Sequence, residues 1–333
     1  MLASPSSSTS SSSDDDDASS ATATTTTSGK ETKRRRRTAI LLCPAQFCVP
    51  ADYATLLDDM RARTRDDPTS EIDIVAARVA PLPRTEWIKV ARQLPTRDFF
   101  DATLSSKTTL GWYFDAIETA LSDLFAEAGG GGGGDDDLSV CVVGHSIGGW
   151  VARAYLGGLS GSSTSVHRLA LRRVSSLITL GTPHSSPDSA LVDQTRGLLR
   201  EVSSHPGCSS ASLSDGGRVG ITCVTSSGIV GKVLTSNVEE LVASASYLPL
   251  VGRIGPDVGG DGVVPAELAV MEHPARAVVI GGCSATGAAV RHAHVLPTPW
   301  SLVDGHAPSW KLPEDIIWYG SPGVLGQWLR YIE

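Results

Sequence analysis

The sequence predicts an α/β protein with a mostly parallel central sheet flanked by helices, and two observations lead to that prediction. From Thr38 onward, short apolar runs bounded by Gly or Pro alternate with segments of helical period, the pattern of parallel strands joined by helices. With 333 residues, of which 41% are hydrophobic, the chain is long enough to bury a sizeable core. No stretch approaches the roughly 18 consecutive apolar residues of a membrane helix, so we expect a soluble protein with no transmembrane segment.

Each predicted strand is a short apolar run, and each predicted helix repeats its apolar residues at helical spacing. The strands are predicted at Ala39–Cys43, Ile72–Val79, Leu138–Val143, Val174–Leu180, Ile221–Thr225 and Ala277–Gly281. The helices are predicted at Asp52–Arg65, Leu110–Ala128, Ile147–Leu159 and Gly323–Ile332. The segment 185–250 resists such assignment, apart from its one weak strand, and lies where a cap over an active site is often inserted.

Two low-complexity segments stand apart from this pattern. Residues 1–37 are rich in Ser, Thr and Ala, with an acidic run at Asp14–Asp17 and a basic run at Lys33–Arg37, so they offer too little apolar surface to fold. We therefore predict a disordered tail before a domain at 38–333. The tail is similar to an organelle transit peptide except for its acidic run, which leaves both cytoplasm and plastid open as locations. Gly129–Gly134 is predicted to be a surface-loop insertion.

Charge and cysteine content argue against several classes of function. The net charge of −8 disfavours nucleic acid as the main partner, because phosphate binding requires a basic face. Six cysteines without a C-x-x-C pair form neither a zinc-site pattern nor a dense disulfide scaffold. No G-x-G-x-x-G follows the first predicted strand, so the fingerprint of a dinucleotide-binding enzyme is missing. We expect no metal and no cofactor.

The residues most informative about chemistry are Gly144-His-Ser-Ile-Gly148, a G-x-S-x-G motif between an apolar run and a predicted helix. This context is typical of a nucleophile elbow, in which Ser146 stands at the tip of a tight strand-to-helix turn. The flanking glycines let strand and helix approach where a β-carbon would clash. The backbone N–H of Ile147, at the start of the helix, can then face the oxyanion of a tetrahedral intermediate.

Four motifs, with the ending Trp318–Pro322, occur in an order that resembles a known family: Leu42-Cys-Pro-Ala-Gln-Phe47, Gly144-His-Ser-Ile-Gly-Gly149, Leu180-Gly-Thr-Pro-His184 and Gly260-Asp-Gly-Val-Val-Pro265. On these residues the chain resembles the α/β-hydrolase superfamily in its lipase-like branch, and in particular the soluble lipase-like or GPI-inositol-deacylase-like hydrolases of plants and cyanobacteria. The resemblance implies an α/β-hydrolase fold with a cap or lid insertion after the sixth strand, at 185–250. It also implies a Ser-His-Asp triad in the chain order Ser, acid, His.

The acid of the triad should lie in a turn after a late strand. Asp261 fits the family's D-G-x-V-P pattern, and Asp257 is the alternative. Three histidines follow the last predicted strand: His292, His294 and His306. We favour His294, because its apolar neighbours could anchor the loop, and keep the other two as alternatives. The remaining oxyanion donor should come from the loop after the first strand, where we expect the amide of Gln46, with Phe47 as the alternative.

These residues predict a serine hydrolase that cleaves carboxylic esters through an acyl-enzyme. Ser146 attacks the acyl carbon, His294 serves as base and then acid, and Asp261 orients the imidazole. The resemblance implies that the substrate is a small-molecule acyl ester of lipid-like character. Such substrates include lipids at a membrane surface. Two alternatives stay open: a catalytically inactive α/β-hydrolase-fold protein that binds a ligand or partner, and a thioesterase or acyltransferase with the same triad.

Overall fold

The computed structural model describes residues 34–129, 137–187, 190, 193–296 and 304–332. The chain divides into Met1–Arg34 and Arg35–Glu333, and every element named below lies in the second part. The predicted tail lies outside the described residues as far as residue 33, and the predicted glycine-rich insertion does so from residue 130 to its end. The last residues assigned to the tail belong to the domain instead, because Arg36 and Arg37 begin the first strand.

Ten strands are present in the described part of the chain: β1 Arg36–Cys43, β2 Ile72–Val79, β3 Leu138–His145, β4 Val174–Leu180, β5 Gly220–Ser226, β6 Ile229–Val230, β7 Gly259–Gly260, β8 Arg276–Ile280, β9 Val295–Leu296 and β10 Trp310–Lys311. Six of them pair in parallel in the order β2-β1-β3-β4-β5-β8. The short pairs β6–β7 and β9–β10 are antiparallel. The predicted parallel sheet is therefore confirmed.

The described α-helices are α1 Ala54–Asp66, α2 Ile88–Ala91, α3 Arg97–Phe100, α4 Ser106–Thr109, α5 Gly111–Gly129, α6 Ile147–Leu156, α7 Ser165–Arg173, α8 Leu198–Ser204, α9 Ser210–Leu213, α10 Val238–Val251 and α11 Pro322–Trp328. A 3₁₀ turn at Pro50–Tyr53 leads into α1, and another at Leu329–Tyr331 follows α11. Over the described residues, no helix combines the length and apolar character needed to cross a membrane.

Apolar side chains cover both faces of the large sheet, as buried parallel strands require. Successive residues of a strand point to opposite faces. In β3, Val140 and Val142 pack in the cluster that contains α5 and α6, whereas Cys141 and Val143 pack in the cluster that contains α1 and α11. A third, smaller cluster joins α10 to the segment 258–269 that follows it.

The segment 185–250 is not the single cap insertion that was predicted. It follows β4, which is the fourth strand of the sheet in chain order and not the sixth, and it contains β5. This strand lies inside the sheet, between β4 and β8. Its polar residues Thr222 and Thr225 are buried, and they interrupt the apolar run by which a central strand is recognised in a sequence.

Candidate active site

Ser146 stands at the sharp turn between β3 and α6. Its backbone adopts φ 55° and ψ −125°, a conformation that costs a non-glycine residue free energy and persists only where the surroundings impose it. The N–H of Ser146 donates to the carbonyl oxygen of Leu180, at the end of β4, over 2.9 Å. A β-carbon on Gly148 would lie 2.1 Å from the carbonyl oxygen of Cys43, so the turn has no space for a side chain at that position.

Asp261 is a buried carboxyl group whose two oxygens accept four hydrogen bonds. Its Oδ1 accepts from the N–H groups of Val263 and Val264 at 3.1 and 2.8 Å. Its Oδ2 accepts the Tyr319 hydroxyl and Nδ1–H of His292, each at 2.8 Å. Burial alone raises the pKa of Asp261, but His292 and the donated hydrogen bonds outweigh it and hold that pKa below its ordinary value. The group is therefore ionised at neutral pH.

His292 is the histidine that the structure brings to this acid. Because an ionised carboxylate only accepts hydrogen bonds, Nδ1 carries a proton, and in the neutral imidazole Nε2 then has a free lone pair. The backbone N–H of His292 also donates to the carbonyl oxygen of Asp261 at 2.9 Å. His145, the residue before Ser146, donates from Nε2 to the carbonyl oxygen of His292 at 2.7 Å. The pair of His292 and Asp261 thus contacts the immediate neighbour of Ser146.

This geometry corrects the preference for His294. The Nε2–H of His294 donates to the carbonyl oxygen of Asp52 at 2.7 Å, and its ring stacks on Trp318 with the centroids 3.6 Å apart. In an extended loop His292 and His294 would point the same way. The chain bends at both residues instead, so their side chains diverge and only His292 reaches Asp261.

The remaining alternatives for base and acid lie at the surface. His306 is exposed, and its backbone N–H donates to the side chain of Asp304 at 3.1 Å. Asp257 is paired with Arg253 in an exposed ion pair. Both residues therefore lie apart from the buried pair of Asp261 and His292.

The predicted oxyanion donors lie beside Ser146. Ile147 is the first residue of α6, so its N–H has no acceptor within the helix. Gln46 lies in the turn that follows β1, and both Gln46 and Ile147 line the same cavity as Ser146. Phe47 has a positive φ of 62° and packs on Trp87, with ring centroids 5.5 Å apart. The structure thus places the predicted donors Gln46 and Ile147 together.

A mainly apolar cavity of about 270 Å³ opens at Ser146. One wall comes from residues 87–110, between β2 and α5, which the sequence did not indicate as part of the site. Another comes from residues 183–187 and 193–199 after β4, with further contributions from α10 and the Asp261 turn. Prominent apolar residues of the lining are Trp87, Phe99, Leu104, Leu198, Leu199 and Leu250. Val233 and Leu234, which lie in the segment 185–250 that was predicted as a cap or lid, are 60% and 98% exposed.

Two buried tyrosines contact the site and are not apparent from the sequence as functional residues. Tyr319 donates its hydroxyl to the same Asp261 oxygen as His292 does. Tyr53 contacts His145 and is considered below. The only signal for Tyr319 in the sequence is its position in the Trp318–Pro322 ending, which carries the family resemblance but no role.

Replacing Tyr319 with phenylalanine tests its contact with the acid. The variant removes one donor from Oδ2 of Asp261 and loosens the carboxylate that orients His292. Because a hydrogen bond to a charged group is worth about 1.5–3 kcal/mol, we expect kcat to fall by about ten- to hundredfold with KM nearly unchanged. Steady-state kinetics with an ester substrate measures this, and an unchanged kcat would show that the three other donors suffice.

Two buried histidines make stability depend on pH. Burial lowers the pKa of His145 to about 3, and burial together with Arg153 does the same for His184. In the unfolded chain such groups titrate near 6.5. The unfolded state therefore binds protons that the folded state excludes, and stability that is fully present above about pH 6.5 is lost as the pH falls toward 3.

We expect each of these histidines to contribute at most about 1.4 kcal/mol per pH unit to the fall in unfolding free energy between pH 5.5 and 4. Urea unfolding across this range measures the slope for the wild type and for His184→Gln. The variant should show the shallower slope, by about that amount. Equal slopes would contradict the assignment of a neutral, buried His184.

In the part of the chain that the structure describes, no group of three or more His, Cys, Asp or Glu side chains is arranged to hold a metal ion. The six cysteines are free and buried. A nucleophile, a base oriented by an acid, and backbone donors are the requirements of acyl transfer.

Comparison with known proteins agrees with this architecture. A family model described as "PGAP1-like alpha/beta domain" matches residues 112–244, from α5 through the Ser146 turn into α10. The parallel six-stranded sheet flanked by helices is that of the α/β-hydrolase fold. Among curated proteins, none matches the chain. Among solved structures, it is similar to the mature form of a Bacillus licheniformis lipase, at 13% identity and a TM-score of 0.37, over 73% of this chain and 82% of that one.

The α/β-hydrolase fold accounts for the position of the site. Ligands of open parallel sheets bind outside the carboxyl ends of the strands. Gln46 follows β1, Ser146 follows β3, and the loop that carries His292 comes after β8. The fold and the family match together support hydrolase activity in general.

Proposed function

We propose that the protein is a serine esterase that hydrolyses carboxylic esters with lipid-like acyl chains, through a triad of Ser146, His292 and Asp261. The observation that carries the proposal is the buried hydrogen bond of 2.8 Å between Nδ1 of His292 and Asp261. His145, the residue before Ser146, links this pair to the strained turn through its hydrogen bond to the His292 carbonyl oxygen. A base oriented by a buried acid beside a half-buried serine is the arrangement that makes a serine alcohol nucleophilic.

In the proposed reaction, Nε2 of His292 takes the Ser146 hydroxyl proton while Oγ attacks the acyl carbon. The amides of Gln46 and Ile147 stabilise the resulting oxyanion, and Asp261 stabilises the imidazolium. Collapse of the intermediate breaks the ester bond, and the departing alkoxide receives the proton from His292. A water molecule, deprotonated by the same imidazole, then attacks the acyl-Ser146 ester. The bond to Oγ breaks, His292 returns the proton to Oγ, and the carboxylic acid is released.

The cavity at Ser146 supports an apolar acyl group as the bound part of the substrate. Its lining is mainly apolar, and its volume of about 270 Å³ is at the lower end of ligand-binding cavities. Each methylene buried there is worth about 0.8 kcal/mol, which corresponds to about a fourfold rise in kcat/KM. This gain should end once the acyl chain fills the cavity.

The exposed face of α10 supports presentation of the substrate by a lipid aggregate. Ser246 and Leu250 of this helix line the cavity. The face that points to solvent is apolar, and its exposed residues are Val238, Leu241, Val242 and Leu248. The helix's two acidic residues are turned to partners, Glu239 to Arg291 and Glu240 to Lys232. An apolar stripe beside an apolar cavity fits a lipid surface.

Hydrolysis of p-nitrophenyl esters from C2 to C16 tests the proposed function. We expect kcat/KM to rise with chain length to an optimum at about C6 to C10 and then level off or fall. Leu250→Trp, which fills the cavity, should move the optimum to shorter chains. Leu234→Trp, at a 98% exposed position that lines neither the cavity nor the apolar face of α10, is the matched control and should leave the optimum unchanged. Rates that do not depend on chain length would overturn the assignment of the cavity to the acyl group.

A further inference from the structure

A second buried network beside the site joins the loop of the oxyanion donor to the loop of the base. We call residues 44–49 the oxyanion loop and residues 291–294 the histidine loop. The network consists of Tyr53, at the end of the 3₁₀ turn Pro50–Tyr53, and His145, next to the nucleophile. Both side chains are fully buried, neither lines the cavity at Ser146, and the proposed reaction uses neither.

The direction of each hydrogen bond in this network follows from its chemistry. The backbone N–H of Ala45 donates to the Tyr53 hydroxyl oxygen at 2.9 Å. At the other end, the carbonyl oxygen of His292 can only accept, so Nε2 of His145 carries a proton there. A buried neutral imidazole has one proton, which leaves Nδ1 of His145 as an acceptor. The Tyr53 hydroxyl, 2.8 Å away, donates to it.

The contacts therefore form one directed chain, from the Ala45 amide through Tyr53 and His145 to the His292 carbonyl. Its first member precedes Gln46, the proposed oxyanion donor. Its last member belongs to the base itself. Tyr53 accepts from Ala45 and donates to His145, which in turn donates to His292, so the three hydrogen bonds run in one direction.

A second contact ties the same two regions together. The Nε2–H of His294 donates to the carbonyl oxygen of Asp52 at 2.7 Å, the residue before Tyr53. The side chain of Asp52 accepts the N–H of Val49, in the oxyanion loop, at 2.9 Å and the N–H of Ser309 at 2.6 Å. The 3₁₀ turn is thus attached to the oxyanion loop on one side and to the histidine loop on the other.

We infer that Tyr53 and His145 are positioning residues, which hold the Gln46 amide and the His292 imidazole at a fixed separation so that both act on one tetrahedral intermediate. The inference rests on the proposed function, since it assigns these residues a role only through that base and that donor. Misplacement of catalytic groups by about 1 Å can cost about a hundredfold in rate. Neither residue touches the acyl cavity, so substrate binding should be largely unaffected.

Tyr53→Phe tests this inference, because it removes one oxygen atom and keeps the ring. We expect kcat for a p-nitrophenyl ester to fall by about ten- to hundredfold while KM stays within about twofold. Tyr155→Phe is the matched control: Tyr155 is also a buried tyrosine, in α6, but its hydroxyl faces Glu118 at 3.4 Å, away from the site. It should lose stability without losing kcat. An unchanged kcat in Tyr53→Phe, or a change confined to KM, would overturn the inference.

Nitrogen-15 NMR of histidine-labelled wild-type protein gives a second test that needs no variant and no turnover. His145, assigned by its absence from His145→Gln, should show a neutral ring protonated at Nε2 that does not titrate between pH 7 and 5. A His145 that titrates in this range, or is protonated at Nδ1, would overturn the inference. Because wild-type activity is measured alongside, failure of the proposed function appears as absent turnover, whereas failure of the positioning role appears in the spectrum or in Tyr53→Phe.

Discussion

Replacing Ser146 with alanine is expected to lower kcat for ester hydrolysis by about 10⁴- to 10⁶-fold. The variant lacks the oxygen that forms the acyl-enzyme, so the remaining rate comes from water attacking a substrate held by the backbone donors alone. Binding should change little, because the hydroxyl is a small part of a mainly apolar cavity. Rates measured at high enzyme concentration, together with KM, show both effects.

Ser185→Ala is the matched control for this variant. Ser185 also lines the cavity and is exposed, but it lies in the loop after β4 and not on the strained turn. Its replacement should leave kcat within about threefold of the wild type. If Ser146→Ala retained a tenth or more of the wild-type kcat, Ser146 would not be the nucleophile.

The second large effect is expected from His292→Ala, which should lower kcat by about 10⁴- to 10⁶-fold. Without the imidazole the Ser146 hydroxyl has no acceptor for its proton, and Asp261 is left as a buried charge without its partner. His294→Ala removes the hydrogen bond to Asp52, the stacking on Trp318 and an edge contact with the Tyr53 ring. We expect it to lower kcat by about tenfold at most.

The comparison of these two variants distinguishes the base from its neighbour, since the two residues share the same short loop. Circular dichroism and thermal unfolding of both variants show whether either has lost its fold. A larger loss in His294→Ala than in His292→Ala, with both folded, would contradict the pairing of Asp261 with His292.

Much of the sheet can be predicted from the sequence, because its central strands are apolar on both faces. The predicted bounds of β2 and β4 agree with the structure residue for residue. The Ser146 turn was also predictable, because G-x-S-x-G between an apolar strand and a helix is typical of a nucleophile elbow. By contrast, the bounds of β5 and its central place in the sheet are obscured by its buried threonines.

The rest of the candidate site depends on contacts that no local pattern encodes. Choosing between His292 and His294 requires the bends of their loop, and these are set by hydrogen bonds to Asp261 and Asp52 from distant parts of the chain. In the sequence, Tyr53 and Tyr319 cannot be distinguished from aromatic residues of the hydrophobic core. Only the tertiary structure shows where their hydroxyl groups point. The wall formed by residues 87–110 is likewise distant in sequence from Ser146.

Labelling with a fluorophosphonate probe, followed by mass spectrometry of peptides, tests the central claim most directly. The probe reacts with a serine only when a base and an oxyanion site activate it. We predict one adduct, at Ser146, in the wild type and in His294→Ala, and a labelling rate lower by at least about a thousandfold in His292→Ala. An adduct at another residue, or no adduct in folded wild-type protein, would contradict the triad of Ser146, His292 and Asp261 and favour an α/β-hydrolase-fold protein that binds without catalysis.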